Sequence, residues 1–279
     1  MIIDFHTHIF PRSIRLNRQN FFPGESAFRL LYESPKSRMV GAQEIVKSMD
    51  EQGVDVSVVF GFPWRNAEIF KMHNDYILDA VRRFPERLIG FACFDLASET
   101  AVKEACRCIE SGLSGIGELA FYESGIDEKC LELLSPVMKL CRQRDLPILI
   151  HTNEPLGHQY PGKAPIKPEQ IYEMAKRFSE NKLVLAHWGG GIFLYSLLKK
   201  EVKDVLKNVY LDTAASPYLY DPQIYAIACK LMGREKILLG TDFPLLKPER
   251  YFKELDDAGV SGSDRAAICG ASAKRLLKL

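Results

Sequence analysis

The stretch "IIDFHTHIF", residues 2–10, decides the reading of the fold, because an apolar, β-rich run carries two histidines two positions apart. Side chains alternate between faces along a strand. His6 and His8 therefore point the same way, with Ile2 and Asp4 on their face and Ile3, Phe5 and Thr7 on the other. Same-face neighbours two apart have Cβ atoms roughly 6.5 to 7 Å apart, from which both imidazoles can lean toward one ion. What the strand belongs to follows from the rest of the chain.

Seven further short apolar runs recur, at 54–60, 88–94, 115–121, 147–152, 182–187, 208–214 and 236–242. Between them lie segments with apolar residues every three or four positions, such as "AQEIVKSMDEQG", "NDYILDAVRRF" and "FLYSLLKKEVKDVLK", the spacing of amphipathic helices. Gly53 and Gly112 suit helix C-caps. Successive polar outliers are spaced 33, 36, 25 and 30 positions apart from Glu118 through His151, His187 and Asp212 to Asp242. That spacing matches one strand and one helix per unit of about 30 residues. Eight such units predict an α/β fold, a slightly distorted (β/α)8 TIM barrel, and 279 residues suit a single domain of that kind, which takes about 250. An open doubly wound sheet would carry a G-x-G-x-x-G turn after its first strand, and this strand carries histidines instead. The outsized connection from Phe10 to Val40 exceeds the usual loop of about 4 to 6 residues. It is expected to act as a lid or substrate wall, or to hold an extra hairpin or short helix.

Lys and Arg number 37 against 36 Asp and Glu, so no basic excess favours nucleic acid. No apolar run approaches the roughly 18 to 20 residues that span a bilayer, and no basic leader opens the chain. The expectations are a cytoplasmic protein, no nucleic-acid or membrane partner, a small-molecule substrate, and homo-oligomer formation left open. Seven scattered cysteines suit reduced thiols. Cys106 and Cys108, two apart on a predicted helix, diverge and suit packing.

Barrel active sites collect where strands end. His6 and His8 end the first strand. Glu118 lies late in the fourth with Ile116 and Ala120, His151 ends the fifth after Leu149, His187 the sixth behind Leu183 and Leu185, and Asp242 the eighth behind Leu238 and Gly240. Four imidazoles and two carboxylates on one rim are the donor types of zinc and related divalent ions. Asp4 is a candidate acceptor for orienting a ligand histidine. His73 reads as a helix-surface or packing residue, and His158 as a loop residue away from the site.

With "DFHTH", "ILIHT", "LAHWGGG", "YLDTA" and "LLGTDFP" in this order, and "GASAKRLLKL" at the end, the chain resembles the amidohydrolase superfamily, within it the amidohydrolase-related metal-dependent hydrolases. The resemblance covers nearly the whole chain. It implies that His6, His8, His151 and Asp242 surround a divalent metal, zinc first, with His187 as a ligand of a second ion or a polariser of substrate. Glu118 stands where some relatives carry a carboxylated lysine, so it is a candidate bridge between two ions or a substrate contact. One ion and two both remain open.

A bound divalent ion supplies hydroxide at neutral pH, so hydrolysis of a small carboxylate-bearing amide or lactone is the expected reaction. Asp242 would accept the water's proton, and His187 would stabilise the carbonyl oxygen. Arg12 and Arg65 suit recognition of a carboxylate, and Trp64, Asn153, Trp188 and Tyr218 complete the expected substrate contacts. Arg15, Arg18 and Tyr220 stand beside them. The glycines at 189–191 offer amides to an anion or let the chain turn tightly after His187. The alternatives are a non-oxidative decarboxylase on the same scaffold, a TatD-like nuclease, and a non-catalytic metal-binding protein.

Overall fold

A computed structural model describes residues 1–279. Its strands are β1 (Ile3–His8), β2 (Val56–Phe60), β3 (Leu88–Gly90), β4 (Ile116–Leu119), β5 (Ile148–Ile150), β6 (Leu183–Leu185), β7 (Val209–Asp212) and β8 (Ile237–Leu238). All pair in parallel, in chain order, as one sheet of β1 to β3 and another of β4 to β8. Two bridges join the sheets into a ring: Ala92 with Ile116, and Thr7 with Phe243. Phe5 N donates to Leu239 O at 2.7 Å across the second seam. The result is the expected (β/α)8 barrel.

Helices Ala42–Gln52, Ala67–Arg83, Ala101–Glu110, Glu128–Arg144, Pro168–Arg177, Ile224–Met232 and Pro248–Asp257 follow the strands. Side chains set some of their ends: Asn66 accepts from the amides of Glu68 and Ile69, and Asp127 from that of Cys130. Each satisfies amides that the first helical turn leaves open. After β6 the expected helix is replaced by 3-10 turns over His187–Leu197 and a short helix Lys200–Val205. Residues 187–191 all have positive φ there, and a left-handed turn cannot run on into a right-handed helix.

Two apolar clusters hold the barrel. The larger lies between strands and helices. The smaller fills the ring from inside with Ile3, Phe5, Val56, Val58, Phe60, Phe91, Leu149, Val184, Ala186 and Leu238, and the final helix Ser272–Leu277 plugs its base with Ala273 and Leu276. No helix is long and apolar enough to cross a membrane, and all seven cysteines are free.

The long connection after β1 is a folded wall. It contains helices Arg12–Leu16 and Ser26–Tyr32 and a 3-10 turn Arg18–Phe21. Arg18 pins it from within by donating to the carbonyls of Tyr32, Ser34 and Ser37. Buried Glu25 ties it to the loop after β2 by accepting from the amides of Arg65 and Asn66.

Candidate metal centre

The six donors meet at the strand ends because the backbone departs from regularity beneath most of them. The register of β1 on β2 shifts between Asp4 and Thr7. Ile3 and Phe5 face the interior, and so do His6 and His8, whose rings pack edge-on against the interior Phe60. The bulge therefore corrects the strict alternation read from the sequence: Asp4 is not on the histidines' face. A second shift lies between Ile116 and Leu119, and there Glu118 turns inward although Ile116 belongs to the outer cluster. Gly117 permits this, with φ +133° and a position where a Cβ would lie 2.4 Å from Leu149 O. Likewise Leu183 and Leu185 face the helices, and His187 reaches the rim through φ +54°; Asp242 has φ +59°. Bulges and left-handed residues of this kind re-aim side chains beside active sites.

His8 Nε2 lies 3.7 Å from Glu118 Oε2 and 3.4 Å from Asp242 Oδ1. His6 Nε2 lies 3.6 and 3.7 Å from the same two carboxylates, and His187 Nε2 lies 3.6 Å from Glu118 Oε1. His151 Nδ1 is 3.0 Å from Glu118 Oε1. Each imidazole donates its other N–H elsewhere: His6 Nδ1 to Asp212 Oδ2 at 2.8 Å, His8 Nδ1 to Gly61 O at 3.0 Å, His187 Nδ1 to Ala214 O at 2.9 Å, and His151 Nε2 to Gly162 O at 2.9 Å. In the neutral tautomers four nitrogen lone pairs then converge on two carboxylates. Acceptors facing acceptors need a cation between them. His6 Nε2, buried without a hydrogen-bond partner, is the sharpest sign, and the donor set fits a divalent metal.

The charges tell the same story. Burial opposes charge on His6, yet Asp212 and Glu118 raise it well above the ordinary imidazole value. Burial would raise Asp242, yet His8, His6 and His187 bring it down to about 2. Burial would raise Glu118 as well, and His6 and His151 hold it well below the ordinary carboxylate range. The cluster demands positive charge despite its burial.

Asp212 is the residue the sequence reading left without a role. Fully buried, it accepts from His6 Nδ1 and from the backbone amides of His187 and Ala214, orienting the His6 ring and fixing the backbone on which His187 stands. An aspartate ending the apolar run "NVYLD" was its signal. Asp4, expected in that role, faces the helix layer and accepts from the Thr241 hydroxyl and amide and the His6 amide. It clamps β1 to the segment after β8 and touches no imidazole ring.

A cavity of about 1160 Å³ opens above the donors, and His8, Glu118, His151, His187 and Asp242 lie in its wall. Of the expected substrate contacts only Tyr218 lines it. Arg12 is exposed outside it, and Arg65 reaches away to Glu123. Trp64 is buried and donates to His73 Nδ1, and Trp188 is buried and donates to Ser216 Oγ. Each indole packs the helix layer because its N–H finds a partner there. Asn153 is buried and engaged by its neighbours. His158 does line the cavity, as do Tyr32, Phe62, Tyr122 and Tyr220, while His73 packs below with both ring nitrogens bonded. The glycine tract serves the turn: Gly190 has φ +59°, and a Cβ there would lie 2.6 Å from Asn153 O.

A family model described as Amidohydrolase matches residues 3–279, and the chain belongs to that family. It is 24% identical over 339 aligned positions to a 2-amino-3-carboxymuconate-6-semialdehyde decarboxylase of Dictyostelium discoideum, covering 99% of this chain and 93% of that protein. Among solved structures it is similar to a 5-carboxyvanillate decarboxylase from Sphingomonas paucimobilis, with TM-score 0.76 and 16% identity over 100% of this chain and 99% of the other. A dihydroxybenzoic acid decarboxylase from Polaromonas sp., holding manganese and 2-nitroresorcinol, gives TM-score 0.73 and 20% identity over 100% and 97%. These similarities overturn the expected hydrolysis: the relatives are named for carbon–carbon cleavage. With it falls the part given to Asp242 as base for a hydrolytic water.

Proposed function

We propose that the protein is a metal-dependent, non-oxidative decarboxylase of a small aromatic or unsaturated carboxylic acid. One observation supports this most: no lysine or arginine lines the cavity, so a substrate carboxylate finds its cationic partner only at the donor cluster. The group to be lost then sits at the reacting centre, and the rest of the molecule lies among Phe62, Tyr32 and Tyr122. His6, His8, His151 and Asp242 would hold the ion, with Glu118 beside them, and the manganese of the Polaromonas enzyme makes Mn2+ a candidate alongside Zn2+. When bound, the ion neutralises and orients the carboxylate.

The reaction R–CO2⁻ + H⁺ → R–H + CO2 needs no oxidant. The electrons of the broken bond remain on carbon, and a proton must reach that atom. His187 would deliver it: Nδ1 is fixed on Ala214 O and Nε2 faces the cavity, where Glu118 and Asp242 favour its charged form over the opposing effect of burial. Asp242 lies across the cluster and would share that proton. Tyr220 Oη, buried without a partner in the cavity wall, is available to a polar ring substituent. The seven free thiols support a reducing compartment such as the cytoplasm, and the family match over 3–279 supports one domain.

The test is CO2 release from a panel of hydroxybenzoates and unsaturated acids by the Mn2+-loaded protein in D2O. The expected product carries one deuterium where the carboxylate stood. No CO2 from any member of the panel would sink the reading.

A further inference from the structure

Residues 154–163 connect β5 to the helix Pro168–Arg177 without helix or strand of their own and form one wall of the cavity. The loop closes on itself. At its neck Asn153 Nδ2 donates to Glu154 O at 3.2 Å, and Asn153 Oδ1 accepts from Ala164 N at 2.8 Å. Inside it, Lys163 Nζ donates to Glu154 Oε1 at 2.6 Å, to Leu156 O, and to His158 O at 3.5 Å. Tyr160 Oη donates to Glu154 Oε2 at 2.8 Å. Only 5% of the Lys163 side chain is exposed. An ammonium has three protons, and all three are engaged within the loop, so this cation does not face the substrate. A compact surface loop packed by its own side chains is an Ω-loop, a type that frequently carries function.

The residue before Lys163 carries the consequence. Gly162 O accepts from His151 Nε2, and that bond leaves the Nδ1 lone pair 3.0 Å from Glu118, inside the donor cluster. We propose that Lys163 is a positioning residue for the metal centre: by closing the loop on Glu154 it fixes the Gly162 carbonyl that aims His151. The proposal rests on the reading that His151 holds the ion. It also gives Asn153 a task, as the tie at the loop's neck. Partners that orient ligand histidines typically contribute about 10- to 100-fold in metal affinity, and a partner acting through one histidine has no effect once that histidine is gone.

The experiment measures Mn2+ affinity of the full-length protein by competition with a metal indicator, alongside limited chymotrypsin digestion after the exposed Leu156. Lys163→Met is expected to weaken Mn2+ binding about tenfold and to speed cleavage, while the exposed Lys176→Met changes neither. Glu154→Gln, which keeps the volume of the site, is expected to act in the same direction by less, and reports should Lys163→Met fail to fold. In a His151→Ala background Lys163→Met is expected to cost no further affinity. Cleavage that speeds up without loss of affinity, or a full additive loss without His151, would overturn the proposal alone. Absence of Mn2+ binding by the wild-type chain would overturn the metal-centre reading together with it.

Discussion

The floor and the rim of the barrel are built by opposite rules. On the floor, Val56, Val58 and Phe60 of β2 take alternate positions and all face inward with Leu149, Val184 and Leu238 of other strands. A regular pleat delivers them. On the rim, His6, His8 and Glu118 follow register shifts, and His187 and Asp242 sit at positive φ. A regular strand aims alternate side chains into the ring but cannot gather six donors within a few ångströms of one point. Each left-handed non-glycine residue costs on the order of 1–3 kcal/mol, and the packed floor and outer layer must offset that cost. The rim is thus the part built for chemistry at the expense of stability.

The largest effect should come from removing chemistry without touching the floor. Asp242→Asn keeps the side chain's shape at a site whose carboxylate is only partly exposed. CO2 release is expected to fall about 10³- to 10⁴-fold, with thermal stability little changed. Retained turnover would remove Asp242 from the reaction. The converse substitution is Phe91→Ala: Phe91 is buried edge-on against Phe5 at 5.6 Å. Calorimetry should show a loss of about 3–5 kcal/mol, while Mn2+ affinity of the folded fraction stays at the wild-type value. Loss of both together would mean that floor and rim are not separable.

The same division explains how much was legible in the sequence. Eight apolar runs at βα spacing are visible because alternation and helical periodicity are local properties, and all eight became strands. The six donors were legible by type and by position late in a run. The route by which they reach the rim was not, because neither the bulge after Asp4 nor the left-handed turn at His187 leaves a mark in hydrophobic periodicity. Asp4 was given the role that Asp212 fills for that reason: strict alternation put Asp4 on the histidines' face, and one inserted residue removed it. Arg12, Arg65, Trp64 and Trp188 lie off the cavity wall for a different reason. Loop residues after a strand share its end of the barrel, but where a long side chain turns depends on partners such as Glu123 and Ser216 that lie far along the chain. The reaction was the least legible, since one set of donors serves either hydrolysis or decarboxylation.

Asp212 tests the joint between the two regions, because it ends a regular strand, orients the His6 ring and holds the backbone amide of His187. Asp212→Asn retains one oxygen for the His187 and Ala214 amides but replaces the acceptor of His6 Nδ1–H with a group of weaker or wrong polarity. A loss of about 10- to 100-fold in Mn2+ affinity is expected, read by the same indicator competition. Unchanged affinity would show that His6 needs no partner to face the ion.

The smallest effect separates rim histidines from one that packs. His73 donates from Nε2 to Ile9 O at 2.7 Å and accepts from Trp64 Nε1 at 2.9 Å. Burial, the main cause, pushes its pKa down to about 4, opposite in direction to His6. The unfolded chain, with an ordinary value near 6.5, then binds the proton that the folded chain refuses. Stability contributed by neutral His73 is therefore whole above about pH 6.5 and is lost as pH falls from there toward 4. Between pH 7 and 5.5 this one group should remove about 1 kcal/mol. His73→Gln, which cannot be protonated, should lack that slope, so the difference between its urea denaturation profile and that of the wild type should shrink as the solution is acidified over this window. A constant difference between the two chains would mean that His73 takes up its proton as readily in the folded chain as in the unfolded one, and the contrast between bonded and convergent imidazoles would not hold.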